Sequence, residues 1–500
     1  MFTSAVLLLT LVAGGQALLI ATASAQLIRD VDGWTQFQGD AALTGFSSDA
    51  AQPPYVASWH LDVPLGGPNT AFGLSQAVVD GSSVIAVSAD SIVAADLATG
   101  RALWSVDRDY GPSVSPAIAE TSRRRILIYT EGFGDSPPDS TATPSPASTS
   151  SPSSSPSPGS GSDAGSFDSH VAAIDLETHE QVWDAPVQLD EVSRTGVTVD
   201  GDTAFLGDNT GTVYAIDVAT GAIRWTADAG GFLTNALAVS SGSVVATVQG
   251  NRSTRAHVVA FDEADGSTAW DDEISGDALF ASSPAISGTS IVVGFSDRTV
   301  RAFDATDGAE RWSTLLNRPM FFAGAPAFTP DAVVVADALG QVYRLDVDTG
   351  ERVWDFAVNE PVTKSPVVVA GATVLVATSA GRLVAIDLES GLLVWQSEEG
   401  GLLRNLALTP DTVVGVRGGL DPGLVGFSHD PDGTLVSVVS PTELDLPKLL
   451  GNFFAAAIPL VLLLFLVGRW LGPRMGPAFL EDDEDDGVPE LVEEGIGGES

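Results

Sequence analysis

Cysteine is absent from this 500-residue sequence. Its absence excludes disulfide bonds, thiolate zinc sites, cysteine nucleophiles and a lipid anchor on cysteine. Lysine is nearly absent too, with Lys364 and Lys448 the only two. The chain has 65 acidic and 23 basic residues and a net charge of −42. A surface of this sign repels phosphate backbones, so we do not expect nucleic acid as a partner.

Recognisable catalytic motifs are absent as well. There is no P-loop, no Gly-x-Ser-x-Gly and no dinucleotide fingerprint. Two acidic segments, residues 262–266 and 346–350, are similar to calcium loops but lack the terminal glutamate of an EF-hand. The histidines are scattered, and no two have the spacing of metal ligands: His60, His170, His179, His257 and His429. The sequence therefore predicts no catalytic, cofactor-binding or metal-binding residue, and we expect that the protein is not an enzyme.

The chain does contain a repeat of aspartate, glycine and tryptophan. Seven copies carry the aspartate: Asp96, Asp175, Asp217, Asp262, Asp304, Asp346 and Asp387. Four residues later one copy has His179 and six have a glycine: Gly100, Gly221, Gly266, Gly308, Gly350 and Gly391. Eight residues after each aspartate stands a tryptophan: Trp104, Trp183, Trp225, Trp270, Trp312, Trp354 and Trp395. From Asp175 onward the aspartates are 42, 45, 42, 42 and 41 residues apart, and such a period indicates a repeat architecture.

Each repeat is predicted to contain four strands. The segment before the aspartate alternates and is rich in β-branched residues, as in residues 213–217, which indicates a strand. The aspartate and glycine mark a tight turn in which glycine supplies a positive φ, a conformation that histidine tolerates. The tryptophan lies on the next strand, and two short strands precede this pair, for example 365–370 and 373–378, which are joined at Gly371. Four strands in about 40–45 residues is the size of a propeller blade.

An eighth, degraded copy completes the set. Ser428 lies 41 residues after Asp387, but Val436 stands where a tryptophan is expected. At the other end of the chain, Trp59 lies on a strand, residues 55–63, that has no preceding turn. The N-terminal strand is therefore predicted to become the outer strand of the last blade and to close the ring. The predicted fold is all-β, an eight-bladed β-propeller of four-stranded antiparallel blades over residues 26–440, plus a C-terminal transmembrane helix.

The tryptophans are expected to dock each blade against its neighbour. An indole at such an interface buries ~150–250 Å². We therefore assign a structural, blade-docking role to Trp59, to the seven repeat tryptophans, and to the repeat aspartates and glycines. Stacking on a planar cofactor or a sugar would suit one tryptophan at most, not a set in register.

Two apolar segments indicate membrane contact. Residues 1–25 end in Ala23-Ser24-Ala25 and are predicted to be a signal peptide or an N-terminal membrane anchor. Residues 449–468, from Leu449 to Gly468, carry no charge and as a helix would span about 30 Å, the thickness of the hydrocarbon core. A single-pass protein of the cell membrane is expected, with the propeller extracytoplasmic and the C-terminal tail cytoplasmic.

Three other segments are predicted to lie outside the packed ring. Residues 134–167 are a Ser/Pro/Thr-rich insertion in blade two, between its second and third strands, and are predicted to be disordered. Residues 441–448 form a linker, and residues 469–500 form an acidic, disordered tail. Two roles are open for the insertion, a spacer or a glycosylated, partner-facing arm. Two are open for the tail, a solubilising segment or a docking site for a basic partner.

The repeat resembles that of a known family. Together with residues 34–45, which read Trp-Thr-Gln-Phe-Gln-Gly-Asp-x-x-x-Thr-Gly, it is similar to the PQQ-type repeat family of eight-bladed propellers over about residues 34–440. That family includes quinoprotein dehydrogenases and the BamB-type outer-membrane assembly factor. Its dehydrogenases use an adjacent-cysteine disulfide, calcium-holding acidic and amide residues, and an aspartate base. Here cysteine is absent and no motif places the other groups, so PQQ with calcium is not expected.

The sequence thus favours a non-catalytic, membrane-anchored extracytoplasmic propeller. It would act as a protein-binding scaffold in cell-envelope assembly or complex organisation, using its loop face or central opening without turnover. The expected partners are the membrane, through residues 449–468, and proteins, with the propeller itself monomeric. The alternatives are a PQQ-dependent quinoprotein dehydrogenase and a ligand-binding receptor or sensor propeller.

Overall fold

The computed structural model describes nine stretches of the chain. They are residues 33–63, 73–109, 111–132, 169–251, 253–319, 324–362, 366–397, 402–419 and 421–436. The segments predicted at residues 1–25, 134–167, 441–448, 449–468 and 469–500 lie outside these stretches and remain predictions. Within the described stretches no helix is both long and apolar enough to cross a membrane. The chain divides into two units, residues 1–436 and 437–500, and the fold below is that of the first.

The described residues form short β-strands of two to eight residues. In chain order they are β1 (Phe46–Ser47), β2 (Tyr55–Asp62), β3 (Val78–Asp80), β4 (Ser83–Val87), β5 (Ser91–Asp96), β6 (Ala102–Asp107), β7 (Ala117–Glu120), β8 (Arg125–Glu131), β9 (His170–Asp175), β10 (Val187–Gln188), β11 (Thr198–Asp200), β12 (Thr203–Gly207), β13 (Thr212–Asp217), β14 (Ile223–Asp228), β15 (Phe232–Leu233), β16 (Ala238–Ser240), β17 (Ser243–Gln249), β18 (His257–Asp262), β19 (Thr268–Glu273), β20 (Ala285–Ser287), β21 (Ser290–Gly294), β22 (Thr299–Asp304), β23 (Glu310–Leu315), β24 (Ala327–Phe328), β25 (Ala332–Ala336), β26 (Gln341–Asp346), β27 (Arg352–Ala357), β28 (Val368–Ala370), β29 (Thr373–Ala377), β30 (Leu383–Asp387), β31 (Leu393–Gln396), β32 (Leu402–Leu408), β33 (Thr412–Gly418) and β34 (Gly423–His429).

These strands make eight sheets, one for each blade. Blades one to three are β3–β6, β7–β10 and β11–β14, and blades four to seven are β16–β19, β20–β23, β24–β27 and β28–β31. Blade eight is β32–β34 with β2 as its outer strand. Neighbouring strands within each of these blades pair antiparallel, the inner strands of blades one to seven contact one another in succession, and β32 of blade eight contacts β29 of blade seven. The predicted eight-bladed propeller is confirmed.

Two details differ from the prediction. Blades four and seven each have a fifth strand, because β15 pairs with β17 and β1 pairs parallel with β28. The second detail is that the third strand of a blade is covered on both faces, which the prediction did not address. Val213, Tyr214, Ala215 and Ile216 are all buried, because both faces of a blade pack against neighbouring blades and a strand covered on both sides is apolar throughout.

The N-terminal strand closes the ring. β2 pairs antiparallel with β34, from Tyr55 opposite His429 to Asp62 opposite Gly423. The ladder has an irregularity beside Trp59, and the corresponding ladder of blade one has one at the same place, beside Trp104. The N-terminal strand β2 therefore takes the position of an ordinary outer strand, as predicted.

The up-and-down order of the strands gives the ring two different faces. The face that we call the turn face carries the hairpin between strands one and two and the Asp-x-x-x-Gly turn between strands three and four. The loop face carries the hairpin between strands two and three and the connections between blades. The end of β8 and the start of β9 are on the loop face, so the connection 132–169 starts and ends there.

Residues 34–47 run around the centre of the ring at the turn face. In seven successive blades, the N–H group at one equivalent position of the inner strand donates a hydrogen bond to this segment. The pairs, in blade order, are Val79 to Trp34 O, Ile118 to Thr35 O, Val199 to Gln36 Oε1, Val239 to Ala41 O, Ile286 to Ala42 O, Phe328 to Thr44 O and Val369 to Gly45 O, at 2.7–2.8 Å. Ala51 N then donates to Thr409 O of blade eight at 2.9 Å. The chain itself thus occupies the central opening at this face.

We expect Gln36→Ala to lower the free energy of unfolding by about 1–3 kcal/mol, because a buried backbone donor loses its partner. The Gln36 side chain accepts from Val199 N at 2.7 Å and donates to Val199 O at 3.1 Å. Equilibrium urea denaturation measures the change. The exposed Gln188 of β10 is the control, and Gln188→Ala should stay within about 0.5 kcal/mol of the parent. Equal effects of the two changes would contradict a role for residues 34–47 in holding the inner strands of the blades.

Candidate functional site

The repeat tryptophans and glycines meet at the boundaries between blades. Six indole rings lie against the glycine of the following blade: Trp59 on Gly100, Trp183 on Gly221, Trp225 on Gly266, Trp270 on Gly308, Trp312 on Gly350 and Trp354 on Gly391. The Nε1–H group of each ring also donates to the backbone carbonyl of the residue after the next blade's aspartate, at 2.8–3.1 Å. Each glycine has a positive φ, and a Cβ atom on it would overlap the indole.

Two tryptophans make different contacts. Trp104 lies against His179, with 4.4 Å between ring centroids, and His179 has a φ of 60° like the glycines it replaces. Trp395 meets Tyr55 edge to face at 5.3 Å. Blade eight has Ser428 at the aspartate position and no glycine turn to receive this ring, so the last boundary is built differently.

The repeat aspartates hold the turn itself. In all seven copies the residue four positions on donates its N–H group to the aspartate carbonyl oxygen at 2.8–2.9 Å. The carboxylates accept further bonds, as where Asp304 Oδ1 accepts from Thr306 N at 2.8 Å. Arg311 Nη2 reaches the other oxygen of Asp304 at 2.6 Å, and Arg224 reaches Asp217 at 2.7 Å in the same way. These two arginines precede the tryptophan, and the sequence analysis did not assign them a role.

We expect Gly350→Ala to destabilise the fold more than Gly242→Ala. Both glycines have a positive φ, but only the Cβ atom at Gly350 would overlap an indole, whereas a Cβ atom at Gly242 would meet nothing within 4 Å. The backbone conformation alone costs about 1–2 kcal/mol in each variant, and displacing Trp312 adds ~1–3 kcal/mol. Trp312→Ala should cost roughly 3–5 kcal/mol. Urea midpoints that do not differ between the two glycine variants would show that the indole contact is unimportant.

The turn aspartates should make stability depend on pH. Bonds from the turn, and in two copies from an arginine, hold the pKa of five carboxyl groups below the ordinary value of 3.8: Asp96, Asp175, Asp217, Asp304 and Asp346. A lowered folded-state pKa adds stability that is complete above about pH 4 and is lost as the pH falls through the folded-state value. At pH values below about 4, the urea midpoint of the parent should therefore decrease as the pH is lowered. This decrease should be less steep in Asp304→Asn. An unchanged slope in this variant would contradict the contribution of Asp304.

A buried charged cluster lies on the loop face where blade one meets blade two. Arg108 is only 8% exposed, although Ala229, Ile274 and Leu316, which lie at the same position after the outer strands of blades three to five, are buried apolar residues. Its guanidinium group donates to Ser88 O at 2.5 Å, to Thr130 O at 2.7 Å and to Pro112 O. Burial lowers the pKa of Arg108 to about 10, and the charge of Glu131 opposes this shift.

Three further members of the cluster face one another. Glu131 ends β8 and pairs with His170, which begins β9. His170 Nε2 lies 3.0 Å from Glu131 Oε1 and 3.8 Å from Asp109 Oδ2. The other carboxylate oxygen of Glu131 accepts from Asp109 N at 3.0 Å. Glu131 and His170 are buried and Asp109 is exposed. The sequence analysis did not connect these residues, since Glu131 and His170 are 39 positions apart.

An exposed apolar patch lies elsewhere on the loop face, where blade four meets blade five. Phe232 is 45% exposed, and Leu279 and Phe280 are each 39% exposed. Phe232 pairs with Gln249, and Gly250 N donates to Leu279 O at 2.7 Å, so the three side chains stand around one hairpin. We call these three residues the apolar patch.

A cleft of about 350 Å³ opens between the outer strands of blades four and five. Asp272 and Glu310 line it, and Arg301 lies within it with bonds to Glu310 at 3.3 Å and to Asp297 at 2.9 Å. Burial raises the pKa of Asp272, and the nearby charge of Glu310 adds to the shift. Arg301 already pairs with the acidic groups around it. We therefore interpret the cleft as part of the contact between blades four and five.

The metal-ligand group found among the described residues differs in composition from the calcium set that the family resemblance implies. Among them, Asp109, Glu131 and His170 are the group of three side chains close enough to share a metal ion. This group includes an imidazole, whereas calcium takes oxygen ligands. Glu131 and His170 also lie on the second and third strands of blade two, and Asp109 follows the outer strand of blade one, so the group is not on the inner strands at the centre.

Comparison with known proteins agrees with this architecture. The profile of a family described as outer membrane protein assembly factor BamB matches residues 168–320 and 296–438. No curated protein matches the chain.

Solved propellers are similar in fold. The structure of BamB from Moraxella catarrhalis is 14% identical, with a TM-score of 0.53 over 75% of this chain and all of that chain. Quinohemoprotein alcohol dehydrogenase ADHIIG from Pseudomonas putida HK5 is 11% identical, with a TM-score of 0.55 over 82% of each chain. A europium-containing methanol dehydrogenase is 13% identical, with a TM-score of 0.55 over 78% of this chain and 90% of that chain. At these identities the likeness concerns the fold alone.

Proposed function

This chain belongs to the PQQ-like repeat β-propeller family whose profile is described as outer membrane protein assembly factor BamB, and on that premise we propose that it is a non-catalytic scaffold that binds protein partners on its loop face. The apolar patch carries the proposal. A chain with a net charge of −42 exposes two phenylalanines and a leucine around one hairpin. Aromatic residues grouped on a surface in this way are typical of interface hot spots.

The turn face and the repeat tryptophans are occupied by contacts within the chain, so the loop face is the surface available to a partner. Residues 34–47 occupy the centre at the turn face through bonds to seven blades. Six of the tryptophans lie on the next blade's glycine, so these rings serve the contacts between blades and are not a platform for a ligand. Binding through the central opening, one of the two surfaces favoured by the sequence, is therefore less well supported than binding through the loop face.

The proposal includes the cellular setting inferred from the sequence. The predicted helix at residues 449–468 would hold the chain in the cell membrane as a single-pass protein, with the propeller extracytoplasmic and the tail cytoplasmic. A tethered propeller with an apolar patch suits a role in cell-envelope assembly or complex organisation. The sequence supports this setting through the length and lack of charge of residues 449–468.

A PQQ-dependent dehydrogenase is the competing function, since enzymes of that kind share the fold. The absence of cysteine from the whole chain weighs against it. Absorbance of the purified full-length chain, together with a dye-reduction assay on alcohols in the presence of PQQ and calcium, tests the point directly. Stoichiometric quinone with calcium-dependent dye reduction would replace the scaffold with the enzyme.

Partner binding is tested by placing a charge in the apolar patch. In membranes, a photo-crosslinking residue at position 232 should capture a defined protein partner. Leu279→Asp should reduce the captured amount at least tenfold, because a buried hot-spot residue contributes about 2 kcal/mol or more. Leu103→Asp is the matched control, since Leu103 is also 39% exposed but lies on the outer strand β6. Capture that is equal in both variants would contradict binding at the patch.

A further inference from the structure

We propose that Asp109, Glu131 and His170 form a binding site for one divalent transition-metal ion such as Zn²⁺. Their ligand atoms, one from each residue, all lie within 4.8 Å of one another. His170 Nε2 is 3.0 Å from Glu131 Oε1 and 3.8 Å from Asp109 Oδ2. Zinc bonds of about 2.0–2.2 Å to nitrogen and oxygen place tetrahedral ligand atoms roughly 3.3 Å apart. An ion therefore fits between these atoms once the longer separations, none of them above 4.8 Å, shorten toward this value.

The donor set indicates the class of ion. One imidazole nitrogen and two carboxylates suit zinc and its first-row neighbours, whereas calcium and magnesium prefer oxygen ligands throughout. Three protein ligands leave a fourth position for water. The exposed carboxylate of Asp109 stands at the solvent side of the group, so an ion can enter from the loop face.

The other blades show that the arrangement is particular to blade two. In blade three the aspartate at the position of Glu131 is Asp208, and its Oδ1 accepts from three N–H groups of a tight hairpin. Blade two has the connection 132–169 in place of that hairpin, and the Glu131 carboxylate points to His170 and Asp109 N instead. The requirement of a hairpin turn therefore does not explain Glu131.

Blade four supplies the closest internal comparison. His257 begins its strand β18 as His170 begins β9, but the residue opposite His257 is Val248, not a glutamate. His257 Nδ1 meets a single carboxylate oxygen, that of Asp271, at 2.6 Å. Blade four thus has a histidine–carboxylate pair where blade two has a histidine with two carboxylates.

The charges around this site affect how tightly it would bind a metal ion. Asp109 and Glu131 together balance the charge of a divalent ion when His170 is neutral. Arg108, beside Glu131, opposes the ion, although its guanidinium group is anchored on three backbone carbonyls. A proton competes with the metal ion for the His170 ring nitrogen. The metal–ligand bonds must therefore be strong enough to displace this proton and to overcome the repulsion between the ion and Arg108.

Metal binding would have a structural consequence for the insertion. Glu131 and His170 stand at the two ends of residues 132–169, the connection that contains the predicted Ser/Pro/Thr-rich segment. Glu131 and His170 are already paired in the β8–β9 ladder, so an ion shared by them would strengthen the hold on both ends of this connection. The blade-boundary loop that carries Asp109 would be fastened with them.

The test uses the untagged full-length chain, stripped with a chelator and then dialysed against Zn²⁺ or Co²⁺. We expect one ion per chain, a visible Co²⁺ absorption of tetrahedral intensity, and a higher melting temperature with Zn²⁺. His170→Asn and Glu131→Gln should each lower the affinity at least tenfold. His257→Asn, the matched control, should bind like the parent.

Melting of each variant in chelator separates loss of the ion from loss of the fold. The proposal stands if His170→Asn and Glu131→Gln melt like the parent in chelator but lose the Zn²⁺-dependent rise. It is overturned if the parent takes up no ion, or if the three variants bind equally. Binding lost in His257→Asn alone would place the ion in blade four and overturn it as well. The scaffold function is independent of each of these results.

Discussion

The contact between an indole ring and a glycine of the next blade is the interaction on which the ring depends. This contact imposes two conditions on the glycine position. The turn requires a positive φ, and the indole requires a surface without a side chain. Gly350 meets both conditions beneath Trp312. The Nε1–H bond to a backbone carbonyl then fixes the angle of the ring. Repeated from blade to blade, this contact makes sheets that could not stand alone into one propeller.

Much of the fold could be predicted because the repeat is regular. The spacing of Asp, Gly and Trp predicted the number and size of the blades. An incomplete repeat at each end of the chain, the strand of Trp59 and residues 424–428, predicted that β2 closes the ring. The alternation of residues 213–217 correctly indicated a strand, but it does not tell how many faces of the strand are covered. The path of residues 34–47 could not be predicted, since six of its seven bonds from successive inner strands go to backbone carbonyls, which leave no mark on the sequence.

The charged cluster escaped the sequence analysis for a different reason. Its members lie on three separate segments, and only the antiparallel pairing of β8 with β9 brings Glu131 opposite His170. One signal was available, however. Arg108 stands twelve residues after its repeat aspartate, where the next five repeats have an apolar residue, such as Ala229, Ile274 and Leu316. A charged residue in an apolar column of aligned repeats indicates a local change of function or packing.

The course of residues 34–47 also has a consequence for how the protein is made. This segment leaves the ribosome before any blade, yet its hydrogen-bonding partners are spread over almost the whole chain, and Gln38 bonds to Val367, 329 positions away. β2 likewise waits for β34, the last strand of the ring. Contacts between such distant parts of a chain form slowly. Translation must therefore be almost complete before the beginning of the chain can reach its final position. Until then the inner-strand N–H groups that later bond to residues 34–47 stay unpaired and open to other chains.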